Sequence, residues 1–312
     1  MNIVRKIVLA GGTGFIGQLL IDHWQNQAVD IVVLSRKPYP DHDRVRYVAW
    51  DGETSGVWTT ELDGADVLIN LSGKSVDCRY TEENKRLILE SRTQSTAALG
   101  EAIERATNPP GLWINLASAT VYRHSLDRTM DELNGETGSP QPLYHFSEQV
   151  CQAWEQALWD ASTPRTRKVA LRTSLVLGRE GGVFPVLRRL VRLGMGGQQG
   201  SGQQFVSWIH ATDFVRIIDF TIATNAVSGV VNATAPNPIR NDDFMALLRQ
   251  AMRVPVGLPA TAWMLEIGAV LLRTETELVL KSRNVVPTKL LDMSFQFDFP
   301  TADKAVSALA SS

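Results

Sequence analysis

The sequence predicts an α/β fold with a doubly wound parallel sheet, and three observations lead to this class. An apolar run at residues 7–10 is followed at once by a glycine-rich stretch and then by apolar residues at helical spacing. A second apolar run, at 30–34, is typical of another buried strand. Further apolar runs recur along the chain, at 45–50, 67–71, 112–117 and 169–173. Helical patterns lie between several of these runs, and such alternation predicts parallel strands with helices on both faces of the sheet.

The glycine-rich stretch at residues 11–17 has the spacing G-x-G-x-x-G and is typical of a turn that holds a nucleotide. Gly12 permits the tight turn out of the strand, Gly14 lets the backbone approach a pyrophosphate, and Gly17 lets the new helix pack closely on the sheet. The free N–H groups of that helix then face the phosphates. Glycine-rich turns also serve purely structural purposes, but the flanking strands and helix favour a dinucleotide site.

The end of the second predicted strand indicates which dinucleotide is bound. Ser35 and Arg36 stand where folds that prefer NAD usually place Asp or Glu against the ribose hydroxyls. A carboxylate there repels a 2′-phosphate, whereas a hydroxyl and a guanidinium can donate hydrogen bonds to it. The sequence therefore predicts NADP(H), with a solvated basic turn as the alternative.

Ligands in such sheets bind beyond the carboxyl ends of the strands, so we expect Leu71, Ser72, Gly73 and Ser118 near the cofactor. Thr81 is expected to cap the helix that follows. Arg92 lies in the middle of that helix, where it reaches toward the cofactor or forms a surface ion pair.

The character of the chain changes after residue 178. We expect residues 1–178 to form the cofactor-binding domain, to which 203–234 return, and 179–202 with 235–312 to form a smaller C-terminal substrate lobe. In this lobe, Asn241 is expected to cap a helix and the alternating Phe residues of 295–299 to form a strand. The apolar stretch 263–272 is too short for a membrane span and is interpreted as a buried or interface-forming helix.

The composition limits the kinds of ligand and partner that we expect this chain to bind. The chain has 312 residues, 44% of them hydrophobic, which suffices for a substantial core. Its net charge of −2 predicts no general attraction to nucleic acid or to anionic membranes, so any anion site must be local. The expected partner is a small-molecule substrate. Cys78 and Cys151 form neither a metal spacing nor a disulfide framework, and no other grouping predicts a metal site. The first residues lack the apolar core of a signal peptide, so a cytoplasmic location is expected. The sequence does not predict the oligomeric state.

Taken together, these motifs resemble the extended short-chain dehydrogenase/reductases. The resemblance spans nearly the whole chain and is strongest to an atypical branch, often labelled a nucleoside-diphosphate-sugar epimerase family and sometimes a cell-division inhibitor. Its landmarks are 11–17 (GGTGFIG), 34–36 (LSR), 69–73 (INLSG), 91–92 (SR), 172–178 (RTSLVLG), 200–202 (GSG) and 207–210 (SWIH).

This resemblance implies a Rossmann-type doubly wound sheet that holds NADP(H) and a smaller C-terminal lobe that closes over a substrate. The cofactor contacts that it implies, with Gly73 added from its place after the strand, are Gly11, Gly12, Thr13, Gly14, Phe15, Ile16, Ser35, Arg36, Leu71, Ser72, Gly73, Arg92 and Leu175.

The resemblance is incomplete at the residues that carry the chemistry. Ordinary members use a Ser with the Tyr and Lys of Y-x-x-x-K, where Tyr exchanges a proton with the substrate oxygen and Lys lowers the pKa of Tyr. Ser118 matches the family serine. Ser147 stands in the place of Tyr, and Cys151 in the place of Lys. The nearest tyrosine, Tyr144, is followed four residues later by Glu148.

Three substitutes for the missing acid or base are considered: Tyr144 acting directly, Tyr122, or the histidines His145 and His210. We take Ser118 and Tyr144 as the candidate catalytic residues. The leading hypothesis is an atypical NADP(H)-dependent oxidoreductase or epimerase acting on a sugar-nucleotide-like or small carbonyl substrate. Because the Tyr/Lys pair is missing, the alternative is a non-catalytic regulatory protein that senses NADP(H).

Overall fold

The structure, a computed structural model, describes residues 4–311, without the side chains of residues 271 and 272. Its strands are β1 (Lys6–Ala10), β2 (Asp30–Ser35), β3 (Val45–Ala49), β4 (Val67–Asn70), β5 (Leu112–Ser118), β6 (Arg167–Thr173), β7 (Leu175–Leu177), β8 (Phe205–Val206), β9 (Trp208–His210), β10 (Gly229–Ala233) and β11 (Ile239–Arg240). Its helices are α1 (Phe15–Trp24), α2 (Glu82–Arg105), α3 (His145–Asp160), α4 (Phe184–Arg192), α5 (Ala211–Ala223), α6 (Asn241–Ala251), α7 (Ala262–Leu272), α8 (Glu277–Leu280), α9 (Thr288–Asp292) and α10 (Ala302–Ser311).

Seven strands form one parallel sheet in the order β10-β6-β5-β4-β1-β2-β3. The order reverses at β1, where the chain first runs outward to β3 and then crosses to β4 on the other side. The predicted doubly wound, Rossmann-type sheet is therefore confirmed. In sheets of this kind the ligand crevice lies at the reversal point, beyond the carboxyl ends of the strands.

Helices cover both faces of the sheet because successive strand residues point to opposite sides. Ile7 and Leu9 of β1 pack in the core beneath α1 and α5, whereas Val8 and Ala10 pack in the core beneath α2 and α3. Both faces are thus buried, which explains why the strands appear in the sequence as continuous apolar runs.

The C-terminal part adds a separate apolar cluster beside the sheet. Helices α4, α6 and α10 pack together there around residues such as Phe184, Phe244 and Val306. One two-stranded sheet joins this part to the main body, since β8 pairs with β11. A second two-stranded sheet, β7 with β9, lies within the main body.

The strand predicted over 295–299 is wrong. The backbone N–H groups of Asp298 and Phe299 donate to the two carboxylate oxygens of Asp213, at 2.9 and 2.8 Å, and are not paired with a neighbouring strand. The alternating rings pack instead on one another and on the core, with Phe295 against Phe297 and Phe299 stacked on His210. The period-two pattern here reflects a coil segment whose alternate rings are buried or partly buried.

Asn241 is also not a helix cap. It is the first residue of α6, and its side chain accepts a hydrogen bond from the backbone N–H of Gln199 at 2.9 Å, so it fastens the loop that leads to Gly200 and Gly202 instead.

The stretch 263–272 is helical, as predicted, but it is not a buried helix. In α7 the side chains of Trp263, Ile267 and Val270 are 65%, 54% and 56% exposed. Within residues 4–311, no helix is long and apolar enough to cross a membrane.

We expect Asp213→Ala to lower the free energy of unfolding by about 2–4 kcal/mol, because it removes the acceptor of two partly buried backbone N–H groups. Urea denaturation monitored by circular dichroism measures this loss. Asp292→Ala, an exposed site at the end of α9, is the control and should change stability by less than about 0.5 kcal/mol. Equal effects of the two variants would contradict the assigned role of Asp213.

Candidate functional site

The turn between β1 and α1 begins with a left-handed backbone conformation that only glycine adopts without strain. Gly11 has φ +74°, and its N–H donates to the carbonyl of Leu34 at 2.9 Å. A Cβ on Gly11 would also lie 2.8 Å from the hydroxyl of Ser72, in the loop after β4. The turn is therefore clamped between the ends of β2 and β4.

The second and third glycines of the motif, Gly14 and Gly17, have different surroundings. A Cβ on Gly17 would lie 2.0 Å from the carbonyl oxygen of Gly12, so this residue sets how closely α1 approaches the turn. A Cβ on Gly14 would meet no protein atom within 4 Å. Gly14 thus borders open space, where the sequence predicts the pyrophosphate.

The N-terminus of α1 is left available to a ligand. Gly14 is its N-cap and no side chain caps the helix. The ring of Phe15 packs against the glycines of the loop after β7, since a Cβ on Gly178 or Gly181 would lie within 2.3 Å of it. Ile16 is partly buried against the core and Thr13 is exposed. The predicted contacts from residues 15 and 16 would therefore come from their backbone N–H groups.

Ser35 and Arg36 lie at the end of β2, beside this turn. The buried Ser35 hydroxyl accepts a hydrogen bond from the backbone N–H of Lys37 at 3.2 Å. Arg36 is exposed, and within residues 4–311 its side chain has no hydrogen bond or ion pair. An exposed guanidinium next to a buried hydroxyl can receive a phosphate.

A buried polar network supports the loop after β4. Asn70 donates to Asn115 at 2.7 Å and to Thr96 at 3.1 Å, and accepts from the backbone N–H of Ser72 at 3.0 Å. Leu71 donates its N–H to the carbonyl of Ala10 at 2.8 Å. The Ser72 hydroxyl is buried without a hydrogen-bond partner. An orphaned hydroxyl against Gly11 is what a site for an additional polar ligand would contain.

Arg92, in α2, also supports the loop after β4. Its Nη1 donates to the carbonyls of Lys74 and Ile88, at 3.0 and 2.9 Å, and its guanidinium lies 5.0 Å from the ring of Trp154. A Cβ on Gly73 would lie 3.1 Å from this guanidinium, and burial lowers the pKa of Arg92. The alternative of a surface ion pair is therefore wrong, and the contact with the cofactor stays a prediction.

Ser118 lies at the carboxyl end of β5, where its hydroxyl accepts a hydrogen bond from the N–H of Thr120 at 3.2 Å. It is half-buried. Leu175 begins β7, across from Trp208 of β9. Both residues thus lie at strand ends, as the sequence predicts.

The second catalytic candidate, Tyr144, lies just before α3. Its ring stacks on His124 at 5.1 Å, and its hydroxyl donates to the carbonyl of Leu280 at 3.4 Å. Burial raises the pKa of Tyr144, and the negative Glu277 nearby raises it further. A phenol with a raised pKa is a poor base at neutral pH, although it can still donate a proton.

The other proposed acids and bases have structural partners. The Tyr122 hydroxyl donates to Asn232 at 3.0 Å, and its buried ring lies under the guanidinium of Arg172. His210 caps α5 by accepting from the N–H of Thr212 at 3.1 Å. His145 bonds the carbonyl of Ser139 at 2.8 Å.

The structure brings together one group that the sequence did not predict. Glu277, in α8, is 1% exposed and accepts a hydrogen bond from the hydroxyl of Ser147 in α3. Cys151, one turn further along α3, is buried, and burial raises the pKa of its thiol to about 11. The position of Ser147 in the family pattern was a signal, whereas nothing in the sequence pointed to a carboxylate 130 residues away.

Across residues 4–311, no three His, Cys, Asp or Glu side chains are grouped closely enough to hold a metal ion.

Comparison with known proteins agrees with this fold and identifies the family to which the chain is similar. A model of the "NAD dependent epimerase/dehydratase family" matches residues 7–233, and one described as a domain of unknown function, DUF1731, matches 260–309. An epimerase family protein of Staphylococcus saprophyticus is 32% identical over 309 residues, covering 98% of this chain and 99% of that protein.

Solved structures are similar over the whole chain. The human epimerase family protein SDR39U1, crystallised with NADPH, has a TM-score of 0.86 and 29% identity, covering 98% of this chain and 99% of that one. MoeE5, in complex with UDP-glucuronic acid and NAD, has a TM-score of 0.75 and covers 98% of both chains. Its identity of 18% supports similarity of fold alone.

The two glycines of the turn allow a matched test. We expect Gly14→Ala to keep its melting temperature but to bind NADPH at least tenfold more weakly, about 1.4 kcal/mol, because the new methyl group projects into the predicted pyrophosphate space. Gly17→Ala should instead lower the free energy of unfolding by at least about 2 kcal/mol, since α1 must move off the turn. Calorimetry measures both quantities. Undiminished NADPH binding by Gly14→Ala would place the pyrophosphate elsewhere.

Proposed function

Because this chain belongs to the NAD dependent epimerase/dehydratase family, we propose that it is an NADP(H)-dependent oxidoreductase or epimerase acting on a sugar-nucleotide-like or small carbonyl substrate. The observation that carries the proposal is the turn at Gly11–Gly14, where an uncapped helix N-terminus, open space and an orphaned buried hydroxyl meet at the reversal point of the sheet. The prediction of a nicotinamide dinucleotide is confirmed by the family and by the NADPH of the human relative.

The residues present fit this cofactor. The N–H groups at the start of α1 would hold the pyrophosphate, and Ser35 with Arg36 would hold the 2′-phosphate. The Ser72 hydroxyl would find in the bound dinucleotide the partner that it lacks within the chain. When bound, the cofactor supplies or accepts a hydride at its nicotinamide ring. Ser118 would then donate a hydrogen bond to the reacting oxygen of the substrate.

The substrate class is proposed from the family of this chain and from the position of its C-terminal part. MoeE5 was crystallised with a sugar nucleotide. In this chain, Lys281 and Arg283 of the C-terminal part donate to Thr120, just beyond the carboxyl end of β5, where a substrate would approach. We propose the division into a cofactor-binding domain, residues 1–178 with 203–234, and a substrate lobe, residues 179–202 with 235–312.

A cytoplasmic location is proposed from the two unpaired cysteines.

Cofactor choice is tested by titration. We expect NADPH to bind at least tenfold more tightly than NADH, about 1.4 kcal/mol, and Arg36→Glu to remove this preference by repelling the 2′-phosphate. Fluorescence titration of the reduced cofactors measures both. Lys304→Glu makes the same charge change in α10 and should leave both affinities unaltered. Equal affinities of the wild-type protein for the two cofactors would refute the role of Arg36.

A panel of sugar nucleotides and small carbonyls, followed by absorbance of the nicotinamide band, tests for turnover. We expect turnover of at least one compound, with a loss of about 10²-fold or more in Ser118→Ala and a smaller loss in Tyr144→Phe.

The sensing alternative rests on the missing Tyr/Lys pair. It gains support if no compound is turned over and if Ser118→Ala and Tyr144→Phe retain every measurable function that Arg36→Glu abolishes.

A further inference from the structure

The hydrogen bond between Ser147 and Glu277 joins distant parts of the chain near the carboxyl ends of the strands. Ser147 belongs to the first turns of α3, and Glu277 begins α8. The Ser147 hydroxyl is also 3.2 Å from the carbonyl oxygen of Tyr144. Because it carries one proton, the hydroxyl can donate to either acceptor at a time.

The segment around Glu277 is tied to the end of β5. Thr120, two residues beyond Ser118, accepts from Arg283 at its hydroxyl, at 2.9 Å, and from Lys281 at its carbonyl, at 2.8 Å. The backbone N–H of Tyr80, in the loop after β4, donates to Glu275 at 2.6 Å. The loops after β4 and β5, the start of α3 and residues 275–283 therefore meet at one place, on the ligand-binding edge of the sheet.

Glu277 is an unusual residue to find there. The carboxyl is 1% exposed, and its second oxygen, Oε2, is buried without a hydrogen-bond partner. A carboxylate used only as an anchor would be expected to have both oxygens bonded, because an unsatisfied buried oxygen is costly. Glu148, which anchors Lys281 nearby, has both oxygens bonded. The half-satisfied Glu277 is therefore suited to holding a proton.

We infer that Ser147 and Glu277 form a proton relay that exchanges a proton with the reacting oxygen of the substrate. This inference rests on the proposed function, which supplies the hydride step. Ser147 is only half-buried whereas Glu277 is buried, so Ser147 is the catalytic residue of the relay and Glu277 is a positioning residue that acts through it.

Oxidation of a substrate alcohol involves two proton transfers and one hydride transfer. The O–H bond of the substrate breaks and its proton passes to Ser147 Oγ, whose own proton passes to Oε1 of Glu277. The electron pair of the broken O–H bond forms the C=O bond as the hydride leaves the carbon for the dinucleotide. In reduction of a carbonyl, the two proton transfers run in the opposite direction.

The surroundings make the carboxyl able to change its protonation state. Burial raises the pKa of Glu277, whereas the hydrogen bond from Ser147 and the positive Arg283 and Lys281 lower it. The remaining titratable groups that face it are Glu148, Cys151, Tyr144 and Tyr80.

An infrared pH titration of the NADPH-bound protein tests the relay without a substrate. We expect a protonated carboxyl band that persists above the range of an ordinary Glu, near pH 4.3, and that is absent in Glu277→Gln. Ser147→Ala should extend this band to higher pH, since it removes a hydrogen bond that favours the charged form. If the difference between wild type and Glu277→Gln shows no carboxyl titrating above the ordinary range of Glu, the relay is overturned.

Kinetics with a compound from the panel provide the second test. Glu277→Gln keeps an acceptor for Ser147 but cannot take up a proton, so we expect kcat to fall about 10²–10⁴-fold and its pH dependence to flatten, while the Kd for NADPH changes less than twofold. Ser147→Ala should behave alike, and Ser147→Thr should restore most of the activity.

Glu275→Gln is the matched control, because it makes the same change two residues away and can still accept from Tyr80. It should keep the wild-type pH profile. If Glu277→Gln also keeps that profile and loses only thermal stability, the pair is an anchor and the relay is overturned. Failure of the wild-type protein to bind NADPH would instead overturn the proposed function and the relay together. Binding of NADPH without turnover of any compound would overturn the proposed function and the relay with it, whereas turnover that Glu277→Gln leaves unchanged would overturn the relay alone.

Discussion

The close approach of α1 to the turn that precedes it is the constraint on which the rest of this site depends. A single methyl group on Gly17 would come within 2.0 Å of the Gly12 carbonyl oxygen, so the helix starts directly on the turn. This fixes the helix N-terminus at the reversal point of the sheet and opens the space beside Gly14. The ends of β2 and β4 then close around the turn through Leu34 and Ser72. The polar edge of the sheet is organised from this contact outward.

Much of this arrangement could be predicted from the sequence because it depends on local rules. The glycine spacing, the apolar runs and the cap at Thr81, which accepts from Asn84 at 3.2 Å, each act within a few residues. Parallel strands that alternate with helices leave few possible topologies, so local patterns sufficed for the sheet. The position of Ser118 followed in the same way, since a strand end in such a sheet lies at the ligand-binding edge.

The predictions that were wrong depended on contacts between distant parts of the chain. The Phe residues of 295–299 alternate as in a strand, but the acceptors of the backbone there are the oxygens of Asp213, 85 residues earlier. The surface ion pair considered for Arg92 was likewise wrong, because its guanidinium donates to two carbonyls beneath the loop after β4. The carboxyl that faces Ser147 was not predicted at all, because no periodicity or spacing connects α3 with α8. Side-chain hydrogen bonds between remote segments leave no pattern that propensity or periodicity can detect.

The pairing of Ser147 with Glu277 has a consequence for how this chain can vary. One partner lies within the segment matched by the epimerase/dehydratase family and the other within the segment matched as DUF1731. Replacing the serine with an apolar residue alone would strand a buried carboxylate, and exchanging the C-terminal segment alone would leave the serine without its partner. We therefore expect these two matched segments to stay together in related proteins. Among descendants of a common ancestor, substitutions at positions 147 and 277 should occur together.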